Sequence, residues 1–318
     1  MSDGKLRVWA VHDGKAGDAV QCAAVAAALA PGFETRVIAP RAPFSWAAPW
    51  GPVDPRDAPG RAGGALSGEL PDIAVVSGRR AIPYAKALKR AGARIVILKD
   101  PRAAYEIADF IWAPAHDGIV GENIFVTLTS PHGLSPAMKQ AKAKPAEAVA
   151  QLSWPLLGAV LGGPTKRKGS HADYSEEAAR ALGALITDAA KDYAAIIITP
   201  SRRTPLAFLD ILSASIAHDR VIIWSGEGEN PYASMLAHAD TLIVPGESHN
   251  MVSEALASGA GVYIWRPQGM APKMEWFVGE LFAQGHARPL MKSAPPFARA
   301  PVDATPEIVA EIKRRFGL

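Results

Sequence analysis

Short, continuously apolar segments recur along this chain of 318 residues, and each ends in glycine, hydroxyl or charged residues. Strands that are apolar throughout and separated by helical stretches are typical of parallel sheets covered on both faces. The pattern therefore predicts an α/β fold. The predicted strands are 6–11, 33–38, 73–77, 94–98, 110–113 and 123–128 in the first half, and 156–162, 194–199, 220–224, 240–244 and 261–265 in the second.

Two series of strands predict two domains, which also suits the length, since a domain usually takes about 100–200 residues. A polar stretch rich in lysine and alanine, 136–150, is predicted to be the linker. We predict two Rossmann-like, doubly wound domains facing a cleft, residues 1–150 and 151–304, with a final helix, 305–318, packing back on the first. The proline-rich segment 40–71 is predicted to be a long loop, and loops of this length are usually functional or mobile.

Composition excludes several classes of protein. The single cysteine, Cys22, excludes a disulfide framework and a cysteine zinc site within one chain. The net charge of +3, from 34 basic and 31 acidic residues, is too small to indicate nucleic-acid binding. No apolar run is long enough for a membrane span, and the N-terminal run is too short for a signal peptide. We expect a cytoplasmic protein and leave peripheral contact with the inner membrane open.

Well-known catalytic motifs are absent. The sequence has no G-x-x-x-x-G-K-[ST] segment, which disfavours a Walker-type NTPase, and no G-x-G-x-x-G after the first strand, which disfavours a dinucleotide dehydrogenase. The histidines are scattered and form no H-E-x-x-H, so no metal site is predicted. The segment 246–250 ends in Asn250 where a serine hydrolase elbow needs glycine.

Polar residues follow nearly every predicted strand, at the edge where open α/β sheets bind ligands. Glycines let a ligand approach the backbone, helix N-termini bind anions, and arginine adds forked donors. These properties suit a phosphorylated, nucleotide-bearing ligand, although loop punctuation alone favours the same residue types. The catalytic candidates are His12, Asp13, Asp100 and His116, and the ligand-binding candidates are Gly162, Gly163, Ser201, Arg202, Arg203, Asn230, Ser248 and His249.

Several short motifs, taken together and in their order along the chain, resemble those of the mitochondrial-fission "elongated mitochondria" family. The resemblance spans about residues 8–290. The segments that carry it are 13–17 with Gln21, 78–80, 100–102, 114–117, 161–164, 198–205, 229–232, Ser248, 251–255 and 285–289. One departure is clear: after Gly17 the family favours a histidine and an asparagine, where this chain has Asp18 and Val20.

The wider resemblance is to glycosyltransferases of the B fold, in which the C-terminal domain holds the donor. It implies that Glu254 binds the ribose hydroxyls and that Ser248 and His249 contact the diphosphate. A carboxylate accepts two hydroxyl hydrogen bonds, and backbone amides stabilise a leaving diphosphate without a metal. The implied activity is metal-independent transfer from a nucleotide-sugar, with no separate cofactor, to an envelope glycan or lipid-linked acceptor bound by the first domain.

Two alternatives stay open from the sequence. The chain could be a non-catalytic adaptor that kept the fold and binds a protein, which the change at Asp18 favours mildly. It could also be a nucleotide-sugar epimerase, since such enzymes share the two-domain architecture. In segment 40–71, Phe44, Trp46 and Trp50 stand near prolines and motivate the hypothesis of a membrane-touching or acceptor loop.

Overall fold

A computed structural model describes residues 6–164 and 171–318. The chain divides into two compact units: residues up to Gly133 together with Ala304–Leu318 form the first, and Leu134–Asp303 form the second. Both are α/β units. The basic residues 166–168, which follow the first strand of the second unit, lie outside the described residues.

Each unit contains a sheet of six parallel strands. The first sheet has the order β2-β1-β3-β4-β5-β6 and the second the order β12-β11-β10-β7-β8-β9. The strands of the first sheet are β1 (Val8–His12), β2 (Glu34–Val37), β3 (Ile73–Ser77), β4 (Arg94–Leu98), β5 (Phe110–Pro114) and β6 (Ile124–Thr127). Those of the second are β7 (Leu156–Leu161), β8 (Ala195–Pro200), β9 (Val221–Ile223), β10 (Thr241–Pro245), β11 (Gly261–Trp265) and β12 (Arg288–Pro289).

The order of the strands reverses once in each sheet. In the first, the chain passes from β1 to β2 on one side and then to β3 on the other. In the second, β8 and β9 lie on one side of β7, and β10, β11 and β12 lie on the other. Such a reversal leaves a crevice at the carboxyl ends of the two central strands, where doubly wound proteins bind ligands.

Helices connect the strands. They are α1 (Ala16–Leu29), α2 (Phe44–Ala47), α3 (Ile82–Arg90), α4 (Leu134–Ala143), α5 (Glu147–Ala150), α6 (Glu176–Ala189), α7 (Leu206–Ser215), α8 (Tyr232–His238), α9 (His249–Leu256), α10 (Pro272–Ala283) and α11 (Ala304–Phe316). In α1 the buried residues Cys22, Val25, Ala26 and Leu29 follow the i, i+3, i+4, i+7 spacing of one helix face.

The first sheet is covered on both sides over its inner strands, and β1, β3 and β5 are buried at every position. Val8 and Ala10 pack with residues of α1 and α11 on one face. Trp9 and Val11 point to the opposite face, where they pack with α3 and with Leu66 from the proline-rich segment. Alternate residues of a strand point to opposite faces, so a buried strand needs apolar residues throughout.

The structure confirms the predicted fold class of two doubly wound parallel sheets. The prediction of a linker at 136–150 is wrong, because most of that stretch forms α4 and α5 within the second unit. Ala146 donates its N–H to Ser234 Oγ of α8 at 2.9 Å, and α4 also packs on α8. The two units therefore divide at Gly133 rather than at residue 150.

None of the helices in the described ranges is long and apolar enough to cross a membrane.

Candidate functional site

The two turns at the reversal point of the second sheet are joined by one carboxylate. Gly162 and Gly163 follow β7, and Glu247 lies between β10 and the start of α9. The Gly163 N–H donates to Glu247 Oε1 at 3.3 Å, and the Tyr174 hydroxyl donates to the same oxygen at 2.9 Å. Arg203 Nη2 lies 3.9 Å from it. Glu247 thus fixes the β7 turn against the start of α9.

Glu247 is nearly inaccessible to solvent, with 6% of its surface exposed. Its second oxygen, Oε2, is buried and has no hydrogen-bond partner among the described residues. Burial raises the pKa of Glu247 above its ordinary value, against the opposing effects of Tyr174, Gly163 and Arg203. The sequence analysis did not select Glu247. Its position directly after a central strand and before a helix was the available signal.

The glycines after β7 make room for the chain's own atoms. A Cβ on Gly162 would lie 1.9 Å from Glu247 Oε1, and a Cβ on Gly163 would lie 2.2 Å from the carbonyl oxygen of Arg203. The sequence analysis explained these glycines differently, by the access that they give a ligand to the backbone. Close packing within the unit accounts for both glycines, and their contact with a ligand stays a prediction.

The residues after β8 hold the same turn from the other side. The hydroxyls of Ser201 and Thr204 donate to the carbonyl of Gly162 at 3.0 and 2.6 Å. Arg203 Nη1 donates to the carbonyl of Gly163 at 2.8 Å. Arg202 is exposed. Ser201 and Arg203 are therefore structural partners of the β7 turn, and the clamping of an anion by Arg202 and Arg203 stays a prediction.

Helix α9 begins at His249, directly beyond this turn, with Ser248 as its N-cap. The Ser248 side chain makes no capping hydrogen bond, and the His249 ring packs edge-on against Phe277 with ring centroids 4.5 Å apart. The first amides of a helix have no partner within the helix and carry its positive dipole end. This terminus lies next to the buried Glu247 and at the reversal point, and anion binding there stays a prediction.

Glu254, the predicted ribose ligand, is held by a tyrosine. The Tyr232 hydroxyl donates to Glu254 Oε2 at 2.6 Å. Burial raises the pKa of Glu254, against the effect of that hydrogen bond. Asn230, also predicted, lies in the preceding loop, and its Oδ1 accepts from the Tyr232 N–H at 3.0 Å. Asn230 thus shapes the start of α8, while Glu254 lies within α9.

Polar side chains also gather at the reversal point of the first sheet, where β1 and β3 end. Lys99 Nζ lies 2.8 Å from Asp18 Oδ1. Burial would raise the pKa of Asp18, but Lys99, Ser77 and Lys15 together hold it below its ordinary value. Lys99 has a positive φ of 76°, which is uncommon for a residue with a side chain and is often found at functional sites. We call His12, Asp13, Asp18, Ser77 and Lys99 the first-sheet cluster.

Within this cluster, His12 and Asp13 follow one another at the end of β1, and Lys15 Nζ lies 2.8 Å from Asp13 Oδ2. The Gly14 N–H donates to His12 Nδ1 at 3.2 Å, so in a neutral ring the proton is on Nε2. Burial lowers the pKa of His12, against the charges of Asp13 and Asp18. Asp13 Oδ1 is buried without a partner in the described chain, beside Gly78. The catalytic roles of His12 and Asp13 stay predictions.

The other two catalytic candidates follow β4 and β5 at the same edge. Asp100 Oδ1 accepts from the N–H of Arg102 at 2.8 Å, which is a turn-forming contact. The side chain of His116 is 4% exposed, and its Nε2 lies 3.7 Å from Asp117 Oδ1. Neither belongs to the first-sheet cluster. The described residues contain no group of three or more histidine, cysteine or acidic side chains that could hold a metal ion.

Replacing Glu247 with glutamine tests its protonation. Because folding raises the pKa of Glu247, the stability that it contributes is present at low pH and is lost as the pH rises from about 4.5. Glutamine keeps an acceptor for Gly163 and Tyr174 but carries no charge. We expect Glu247→Gln to lose less stability than the unmodified protein between acid and neutral pH, as measured by denaturant unfolding across that range.

The exposed Glu176 of α6, which pairs with Arg180, supplies the control. Glu176→Gln should keep the pH dependence of the unmodified protein. If the unfolding free energy of Glu247→Gln changed with pH as it does in the unmodified protein, the raised pKa of Glu247 would be contradicted.

Known structures share this architecture over nearly the whole chain. A UDP-GlcNAc 2-epimerase from Neisseria meningitidis, solved bound to UDP-GlcNAc, is 12% identical, with a TM-score of 0.53 over 98% of this chain and 92% of the other. A UDP-glucosyltransferase from Polygonum tinctorium is 13% identical, with a TM-score of 0.52 over 98% of this chain and 90% of the other. The protein therefore has the two-unit, Rossmann-like fold of the B-type glycosyltransferases and of these epimerases.

The sequence comparison is more specific. The profile of the family described as Mitochondrial fission ELM1 matches residues 16–316. This chain belongs to that family, as its motifs indicated. The mitochondrial fission protein ELM1 of Arabidopsis thaliana is 22% identical over 282 residues, which are 78% of this chain and 64% of the plant protein. The chain thus spans less than two thirds of that relative.

Proposed function

We propose that this protein is a metal-independent glycosyltransferase that binds a nucleotide-sugar at the carboxyl edge of its second sheet. The observation that carries the proposal is the start of α9 at the reversal point, two residues after the buried Glu247. A diphosphate there would be stabilised by the first amides of α9, with Ser248 and His249 beside it. The partial positive charge of the helix end would favour the leaving nucleoside diphosphate without a cation.

Glu254 has a role in this proposal through its second oxygen. Tyr232 engages Oε2, which leaves Oε1 to accept from a ribose hydroxyl. In the first unit, the acceptor hydroxyl would give its proton to Asp13 as its oxygen bonds to the anomeric carbon and the bond from that carbon to the phosphate oxygen breaks. His12 would donate a hydrogen bond, and the acceptor would be an envelope glycan or a lipid-linked sugar.

Nucleotide binding tests the proposal directly. Thermal unfolding is measured with UDP, GDP, CMP, ADP and their sugars, with and without Mg²⁺. A ligand at 100 times its dissociation constant stabilises the folded state by about 2.7 kcal/mol. We expect one nucleotide series to raise the unfolding temperature equally in both conditions. Glu254→Ala should weaken that binding by about tenfold or more, as judged by titration calorimetry.

Two further variants separate ribose binding from packing. Tyr232→Phe removes the hydroxyl that Glu254 accepts from but keeps the carboxylate, and it should bind nucleotide at least as well as the unmodified protein. If Tyr232→Phe binds as poorly as Glu254→Ala, Glu254 acts only by holding Tyr232. Glu176→Gln, far along the sequence in α6, should leave the affinity unchanged.

A second candidate function is a non-catalytic protein adaptor. The specific observation in its favour is that the chain's own groups occupy the site: Tyr232 engages Glu254, and Glu247 and Arg203 fill the space beside Gly162 and Gly163. If no nucleotide changed the unfolding temperature, the adaptor function would be favoured over glycosyl transfer. Conversion of a nucleotide-sugar without an acceptor would instead indicate an epimerase.

A further inference from the structure

Two tryptophans in the proline-rich segment point into solvent. Trp46 lies in the short helix α2 and Trp50 in the turn that follows, and they are 76% and 73% exposed. They are the most exposed aromatic side chains that the structure records among the large hydrophobic residues. Tryptophan is normally highly buried, because exposing its large apolar ring to water is unfavourable. We call Trp46, Trp50 and the exposed surface of the turn that carries them the tryptophan surface.

The backbone beneath the tryptophan surface is anchored. Ala48 and Pro49, between the two tryptophans, are buried. Arg79 donates to the carbonyls of Ser45 and Ala48, and Lys86 Nζ donates to the carbonyl of Pro49 at 3.1 Å. The tryptophans are therefore presented by a well-held turn, and their exposure is a property of the fold rather than of a loose chain end.

The surroundings of this surface are cationic. Arg79 and Lys86 use carbonyl oxygens as partners, so their charges are not cancelled by a carboxylate there. Arg41, just before α2, shares the buried Asp54 with Arg56. Residues 40–61 and 79–86 together hold six arginine or lysine residues and two aspartates. An excess of positive charge beside exposed tryptophan complements a partner whose outer layer is negatively charged and whose next layer is apolar.

We propose that the tryptophan surface docks on the surface of an anionic lipid bilayer. Tryptophan is favoured at the boundary between lipid headgroups and hydrocarbon, because its ring is apolar and its N–H can still reach polar groups. Each lysine or arginine held near an anionic leaflet adds about 1 kcal/mol, within a Debye length of the surface. Neither contribution needs a membrane-spanning helix. This proposal is independent of nucleotide binding and of glycosyl transfer.

Sedimentation with vesicles tests the proposal on the full chain. We expect the unmodified protein to sediment with vesicles of phosphatidylcholine and phosphatidylglycerol, less with phosphatidylcholine alone, and progressively less as salt is added. The double variant Trp46→Ser/Trp50→Ser should bind the anionic vesicles about tenfold or more weakly. Both side chains are exposed, so the variant should fold, which its circular dichroism and unfolding temperature verify.

Trp276 of α10 supplies a matched control, because it is also an exposed tryptophan, at 46%, but belongs to the second unit. Trp276→Ser should bind vesicles as the unmodified protein does. The proposal is overturned if the unmodified protein does not bind anionic vesicles, or if the double variant binds them equally well. Failure to bind lipid would point to a protein partner for this surface.

Discussion

The Gly163→Ala variant is expected to lose about 2–3 kcal/mol of unfolding free energy, near the upper end of the usual cost of overpacking. The added Cβ would lie 2.2 Å from the carbonyl oxygen and 2.4 Å from the carbonyl carbon of Arg203. These are backbone atoms, so a change of rotamer cannot relieve the contact. The β7 turn would have to move away from residues 201–204 and break their hydrogen bonds to it. Denaturant unfolding of the second unit measures the loss.

A glycine in open space provides the comparison. Gly279, within α10, is exposed, and a Cβ there would meet nothing within 4 Å. Gly279→Ala should stabilise the unit by about 0.5–1 kcal/mol, because alanine loses less backbone entropy in a helix. If Gly163→Ala were as stable as the unmodified protein, the tight contact between the β7 and β8 turns would be refuted. The same loss should reduce nucleotide binding if the anion site depends on this turn.

The second large effect is expected in the proline-rich segment, where Asp54→Asn should cost about 2–4 kcal/mol. Asp54 is fully buried, and both of its oxygens accept from the side chains of Arg41 and Arg56 and from their backbone N–H groups. Asparagine keeps the size but replaces one acceptor oxygen with a donor that faces other donors. The segment would lose the contact that joins its first part to its second.

The pH dependence of this effect has a definite sign. The hydrogen bonds from Arg41, with those from Arg56, hold the pKa of Asp54 well below its ordinary value. Its contribution is therefore present at neutral pH and is lost as the pH falls below about 4. The difference in unfolding free energy between Asp54→Asn and the unmodified protein should narrow on acidification. A difference that is constant with pH would show that the carboxylate charge is not what stabilises the segment.

An exposed acidic residue in the same unit gives the expected background. Glu69 pairs with Arg7, and its side chain is 77% exposed. Removing one partner of such a solvated pair usually costs at most about 1 kcal/mol. Glu69→Gln should therefore have nearly the unfolding free energy of the unmodified protein. A large loss in that variant would mean that removing any acidic charge destabilises the protein, whether or not the residue is buried.

The strands were predictable because each requirement on them is local. A strand buried on both faces needs apolar residues at every position, so β3, β4 and β11 could be bounded from the sequence to the residue. Helices α4 and α5 were missed, since their polar composition suits a linker and their packing against α8 depends on residues far along the chain. The short strand β12 was missed as well, because two residues carry no periodicity.

The candidate site was predictable only in part. The ends of strands marked Gly162, Ser201 and Ser248 as residues of one edge, since polar residues after apolar runs mark the turns. The sequence could not show that Glu247 lies over Gly162 or that Tyr232 reaches Glu254, because these partners are 85 and 22 positions apart. Long-range contacts of this kind depend on strand order, which local patterns do not encode.

The amino-acid sequence by itself determined the α/β class, the number of sheets and the family, because hydrophobic runs and short motifs are local properties of the chain. The tertiary structure alone decided where each strand order reverses, which acidic groups are buried with raised pKa values, and why Asp54 orders a proline-rich segment. These features depend on which distant residues come into contact. Burial and pairing of charges are therefore decided when the sheets assemble.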